Sequence, residues 1–255
     1  MGPELVVKSL ELIWRNLGSA LRATAVPLGI GLGLAVLLLL ALSAGDGLMD
    51  GLYGETGVPT AMGVVALLCA ALCAGFGFLW AAVAWHRFVL LEEVPGIVPA
   101  VHGDRLGAYL WGWIRLIGPF LLIGLVIGAL VAVIAGVAGA AGSPGLAMLL
   151  FFGVNVLAVY ATLRFSLVLP AAAVGRFIGV FESWRMTKTA RDAILIAAAL
   201  LSVLNAVIGL AGSVLGLAGW AGTLLSFGVS WFGFVLGLSI LTAIYGHVVE
   251  GRPLT

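Results

Sequence analysis

Few side chains in this sequence could do chemistry, and their spacing decides what kind. The candidates are His86, His102 and His247, Cys69 and Cys73, and the acidic residues Glu92, Glu93 and Asp104. A zinc site would need ligands at short recurring spacings such as Cys-x-x-Cys or His-x-x-x-His. Neither spacing occurs, so no metal site and no cofactor are expected. Cys69 and Cys73 stand four residues apart in an apolar run, a poor geometry for a disulfide within one helix. Glu92, Glu93 and Asp104 could move protons near lipid headgroups. Beside Val94-Pro95-Gly96 and Pro99, however, the two glutamates read first as part of a solvated, turn-rich loop. No serine nucleophile motif, phosphate-binding glycine loop or His–Asp pair accompanies them. The expectation is a protein with no catalytic residues, not an enzyme.

The elements that carry these residues are set by composition. Of 255 residues, 63% are hydrophobic and 9% charged, with a mean hydropathy of +1.24. Soluble domains carry about a quarter charged residues, so water is not the main solvent here. Inside a bilayer each span must satisfy its own backbone hydrogen bonds, which leaves helices or closed barrels. The apolar runs are long and continuous rather than short and alternating, which selects helices. A net charge of +1 gives no reason to expect nucleic acid as a partner. The N-terminus lacks a basic stretch followed at once by an apolar core and a small-residue cleavage site, so no cleaved signal peptide is expected.

The fold class that follows is all-α: one integral membrane domain over residues 1–255, with six spans arranged as three hairpins. An amphipathic helix is expected over 4–22, its apolar side formed by Val6, Leu10, Ile13, Leu17 and Leu21 with Trp14 nearby. The spans are expected at about 25–44, 61–85, 116–141, 146–163, 193–217 and 223–245. Asp104 is the expected cap of a second interfacial helix ending at Arg115, rich in Tyr109, Trp111 and Trp113. Six spans put both termini on one side. All twelve Lys and Arg residues then fall on that side, and none falls in the three opposite loops; the first of these holds Asp46, Asp50 and Glu55. The positive-inside rule makes this side cytoplasmic.

The densest basic segment runs from Arg164 through Pro170 to Arg191, holding Arg164, Arg176, Arg185, Lys188 and Arg191. It reads as a loop and short helix pinned at the membrane face. Phe177, Phe181 and Trp184 share one side of a helix around 178–190, while Arg185, Lys188 and Arg191 face away. Arg164, near the end of its span, is expected to snorkel to the interface. With Trp14, Arg15, Trp111, Trp113 and Arg115, these residues are the expected contacts for membrane lipids or a partner's cytoplasmic face.

Three lead-in segments, Trp14-Arg15, Trp113-Ile114-Arg115 and Trp184-Arg185, look alike, and so do three return-helix ends. Interface rules alone would create much of this likeness, so a true triplication stays open.

Within the spans, glycine and asparagine are the informative residues. Gly124, Gly128, Ala132, Gly136 and Ala140 recur every fourth position, and Gly212-Gly216 and Gly233-Gly237 repeat that spacing. Small residues on one stripe let helix backbones approach, and packing within the monomer is the expectation, with a homo-oligomer seam left open. Asn155 and Asn205 are the strong polar groups inside the spans, each expected to bond a neighbouring helix. The spans hold no ionisable chain of the kind that ion-coupled transport uses.

Two stretches resemble known families. Arg164-Phe165-Ser166 through Pro170, followed by Glu182-Ser183-Trp184-Arg185-Met186-Thr187-Lys188 and a new span, resembles YciC-type bacterial membrane proteins. Related helices occur in the membrane domain fused to some glycerophosphodiester phosphodiesterases. Trp85-His86-Arg87-Phe88-Val89-Leu90-Leu91-Glu92-Glu93, with His102-Gly103-Asp104-Arg105, is similar to uncharacterised six-span alphaproteobacterial proteins. The resemblance implies a six-span topology and no catalytic residues, and the phosphodiesterase catalytic domain has no counterpart here.

The functional expectation is a non-enzymatic inner-membrane protein that packs against lipids and other integral membrane proteins. It would act as an accessory subunit, assembly factor or scaffold of a respiratory or photosynthetic complex, or in envelope homeostasis. The alternative is a transporter or lipid-translocating protein.

Overall fold

The structure is a computed structural model and describes residues 2–42, 52–53, 57–58 and 60–253, the side chains of residues 42, 140 and 141 excepted. The acidic loop residues Asp46, Asp50 and Glu55, and the side chain of Ala140 in the small-residue stripe, therefore lie outside what the structure describes. Helices α1 (Gly2–Arg15) and α2 (Leu17–Ala20) lead through a π-helical turn, Leu21–Ala25, into α3 (Val26–Leu42). The chain continues as α4 (Ala61–Leu91), α5 (Gly103–Ala141) and α6 (Pro144–Phe165). The short helices α7 (Val168–Ala173) and α8 (Val180–Met186) precede α9 (Arg191–Gly216) and α10 (Gly219–Glu250). No strand occurs among the described residues. Six helical stretches are long and apolar enough to cross a membrane: Leu17–Ala41, Ala61–Leu91, Gly103–Gly139, Pro144–Ala173, Arg191–Gly216 and Gly219–Glu250. The protein is all-α and polytopic.

Contacts divide the chain into two compact units, one of residues 17–106 and one of residues 1–16 with 107–255. The first is a helical hairpin in which α3 packs along α4. Its crossing has almost no side chain in it. A Cβ at Gly31 would lie 2.7 Å from the Cys73 carbonyl oxygen, and one at Gly77 would lie 2.8 Å from that of Pro27. Pro27 with Gly31, and Cys73 with Gly77, are each four apart, so two small-residue stripes meet backbone to backbone. The π-helical turn sits immediately before Pro27, whose missing N–H is absorbed where the helix already changes pitch.

The second unit is built from α1 and the helices after Gly107. α1 packs along both α9 and α10, and α9 also packs on α6. The buried side of α1 is Gly2, Leu5, Val6, Ser9 and Ile13. This corrects the expected apolar side: Leu17 and Leu21 are exposed, and the 4–22 helix ends at Arg15. The tight contact at Gly2, whose Cβ would fall 2.5 Å from Ile196 Cβ, turns the helix toward α9. Lys8 Nζ donates to the Pro253 carbonyl and ties α1 to the tail beyond α10.

Three further boundaries differ from expectation. The interfacial helix and third span are one helix, α5, because Pro119 removes a single backbone bond from a 39-residue ladder. The stretch after Arg164 is not a surface loop. Val168–Ala173 is helical with all six residues buried, and Pro170 is tolerated because it stands in the first turn, where donors are free. The helix expected around 178–190 is the shorter Val180–Met186, started by the Glu182 carboxylate accepting the Gly179 backbone N–H at 3.0 Å.

Candidate functional site

The basic segment organises itself around Arg164. This residue lies in the last turn of α6 and is only 6% exposed, so the expectation that it snorkels is corrected. Every arm of its guanidinium is used inside the chain. Nε donates to Thr187 Oγ1 at 2.9 Å, one terminal nitrogen to Tyr160 Oη at 3.0 Å, and the other to the Trp184 carbonyl at 2.6 Å. The guanidinium carbon also sits 3.8 Å from the Trp184 ring centre and 5.4 Å from that of Tyr160. In return, Ser183 Oγ donates to the Arg164 carbonyl at 2.5 Å.

The sequence produces this geometry locally. Tyr160 and Arg164 are one helical turn apart on α6, while Ser183, Trp184 and Thr187 lie on successive turns of α8 and its C-terminal cap. Phe165 stacks on Trp184 with centroids 4.7 Å apart and meets Phe181 edge-on at 6.4 Å. A charge out of water is stabilised by hydrogen bonds, and each of the three nitrogens of arginine's planar fork has an acceptor here. The cluster is therefore a clamp between α6 and α8.

The remaining predicted contact residues are on the outside. Arg176, Arg185, Lys188 and Arg191 are exposed, as are Phe177 at 77% and Phe181 at 73%. Arg191 pairs with its neighbour Asp192 at 3.4 Å; both are solvent-exposed, so that pair contributes little. Arg115 lies 4.5 Å from the Phe177 ring centre and reaches the Ile178 carbonyl at the long limit of 3.5 Å. Arg15 and Trp111 are exposed, and Trp113 is exposed on one edge and packs edge-on against Phe120. Trp14 touches Phe232 at 6.2 Å while 65% exposed.

The small-residue stripes do not pack as expected. A Cβ at Gly124, Gly128, Gly136, Gly212, Gly216 or Gly237 would meet nothing within 4 Å. The physical reason is that no described residue packs closely against those positions; Gly237 instead faces a cavity between α10 and its neighbouring helices. Gly233 is the exception, with Ile208 Cδ1 3.1 Å from where its Cβ would be. The close crossing at Gly31 and Gly77 was missed because neither glycine belongs to a repeated four-residue series of glycines. Asn155 and Asn205 are both exposed, and neither makes a hydrogen bond to another described residue, which corrects the expected bond to a neighbouring helix.

One constellation escaped the sequence reading. The Glu93 carboxylate bridges Arg87, at 2.6 Å, and His102 Nε2, at 2.7 Å, across the connection between α4 and α5. Burial pushes the Glu93 carboxyl up, but hydrogen bonds and charge from His102 and Arg87 outweigh it and hold the group below the ordinary value. The signal was present as a charged residue at each end of a Pro-rich loop, but loop closure is a tertiary event. Among the described residues no three His, Cys, Asp or Glu side chains gather into a metal-binding group. Comparison with protein-family models, curated proteins and solved structures gives no match.

Proposed function

We propose that the protein is a non-enzymatic integral membrane protein of the bacterial inner membrane, acting as an accessory subunit, assembly factor or scaffold for other membrane proteins. The observation that carries this reading is the placement of Asn155 and Asn205. Each carboxamide is exposed, on α6 and α9, without a partner among the described residues. Asn155 is ten residues from Phe165, about 15 Å of helix, and Asn205 is fourteen from Arg191, about 21 Å, so both lie at mid-bilayer depth. An amide facing hydrocarbon is unfavourable, and a partner helix offering a polar group regains roughly 0.6–2 kcal/mol per bond. Positive-inside orientation then places both termini in the cytoplasm, and Arg185 and Lys188 toward anionic lipid or a partner's charged face. Kinship with YciC-type proteins is part of the same proposal, carried by Arg164–Pro170 and Glu182–Lys188. The test is purification in mild detergent from the native membrane. One integral protein should co-purify at constant ratio and be lost from Asn155→Leu and Asn205→Leu without loss of monomer; a lone monomer in every preparation overturns the reading.

A second reading, lipid translocation, is favoured by one feature. Asn155 and Thr162 on α6 and Ser166 at its C-terminal cap follow at steps of seven and four, placing three polar groups along one side of the helix. Reconstituted protein that leaves the flip rate of a fluorescent phospholipid at the vesicle background would sink it.

A further inference from the structure

The second unit contains two cavities that share one wall residue. The larger, about 390 Å³, lies among α5, α6, α7, α9 and α10, with Tyr109, Trp113, Thr162 and Ser166 along its walls. The smaller, about 260 Å³, lies between α5 and α6 and is wholly aliphatic, lined by residues such as Val126, Leu130 and Val154. Ala158 lines both, so the two adjoin at that residue and follow one another along α6 as a lateral groove.

The groove has a length and a polarity gradient. From Ser166 to Val154 it follows twelve residues of chain, about 18 Å at helical rise. Half of a bilayer's hydrocarbon core is about 15 Å. The end toward Arg164 is lined by hydroxyls and aromatic rings suited to headgroup depth. The far end carries only aliphatic side chains. A helix about 10 Å across and 18 Å long would occupy on the order of 1,400 Å³, more than the two cavities hold together. Water has too few polar partners at the aliphatic end, and an empty groove would forfeit dispersion contacts along its walls.

From this fit we propose that the groove is a binding site for one phospholipid acyl chain, drawn from the leaflet on the Arg164 side, with its ester region at Trp113, Thr162 and Ser166. The site goes beyond both functional readings above and depends on neither.

Photo-crosslinking of the full-length protein in vesicles tests it, using a phosphatidylglycerol and phosphatidylethanolamine mixture with a diazirine on the acyl chain. Label should concentrate at 122–130 and 154–166, about tenfold over the outward-facing Met148 and Leu149. Ala158→Phe blocks the junction of the cavities. Gly237→Leu fills the larger one from α10, where a Cβ meets nothing within 4 Å. Each variant should cut the groove label at least fivefold while the protein stays monodisperse. Label no denser in the groove than at Met148 and Leu149 means ordinary surrounding lipid and overturns the site. Full label in a folded variant, or crosslinks to a protein chain in place of lipid, overturns it as well. Should both variants misfold, the wild-type label map alone decides.

Discussion

The Arg164 guanidinium lies 3.8 Å from the centre of the Trp184 indole and also donates to that residue's own carbonyl oxygen at 2.6 Å. A single side chain thus holds both the ring and the backbone of α8. The relationship turns the most basic segment of the chain into two parts: one buried arginine that builds the fold, and exposed cations that face outward.

Replacing Arg164 should therefore act on stability before any interaction. Arg164→Ala removes the guanidinium donor from the Thr187 and Tyr160 hydroxyls and from the Trp184 carbonyl, which keeps only the Thr187 hydroxyl at 3.0 Å, and Arg164→Lys keeps charge but loses the fork. Removal of charge-assisted bonds costs about 1.5–3 kcal/mol each. The expected outcome is a clear fall in the thermal midpoint in detergent for both variants, larger for alanine, with faster proteolysis at 174–190. An unchanged midpoint would contradict the clamp.

The two kinds of glycine should separate cleanly. Gly77→Ala forces a methyl against the Pro27 carbonyl, and overpacking of this sort costs about 1–3 kcal/mol. Gly128→Leu projects into open space and should leave the monomer's yield and midpoint unchanged. Thermal stability of the two purified variants checks the contrast. Equal loss in both would restore a packing role for the α5 stripe.

The Glu93 bridge gives an acid-sensitive connection between α4 and α5. Because the carboxyl is held below its ordinary value, the bridge contributes stability above about pH 4.5, and that contribution fades as pH falls through the lowered value. Protection of the backbone amides at 92–102, taken relative to their intrinsic exchange rates at each pH, should fall on acidification in the native protein. In Glu93→Gln that protection should already be low at neutral pH, with no further acid step. A wild-type profile flat below pH 5 would count against the bridge.

Neutralising the outer cations should change lipid selection and little else. Each basic residue near an anionic surface contributes about 1 kcal/mol. Arg185→Gln with Lys188→Gln should therefore reduce enrichment of phosphatidylglycerol around the protein severalfold, at constant topology and midpoint. Lipid analysis of co-purified material reads this directly. Unchanged enrichment would leave the pair as topology anchors alone.

What was legible from the residues is the part that the solvent dictates. Continuous apolar runs of span length permit only helices in a bilayer, so the all-α, six-helix character follows from composition and hydropathy. Helix ends were less legible. The continuity of α5 through Arg115 and Pro119, and the burial of Val168–Ala173, depend on what each segment packs against. The same holds for the candidate sites. Arg164 was visible as a basic residue at a span end, but whether it snorkels or is caged depends on Thr187 and Trp184, about twenty residues away in sequence. Glycine spacing every fourth residue proposes a close crossing without saying whether a neighbour is there. It is absent at Gly128 and present at Gly233, while the closest crossing, at Gly31 and Gly77, carries no such glycine series. Sequence alone determined that this chain is helical and built for a membrane, because backbone hydrogen bonding in hydrocarbon leaves helices or closed barrels and the long continuous apolar runs select helices. Tertiary structure decided which polar groups are spent inside, which are left outward, and where the groove along α6 opens, because those outcomes depend on contacts between residues far apart in the chain.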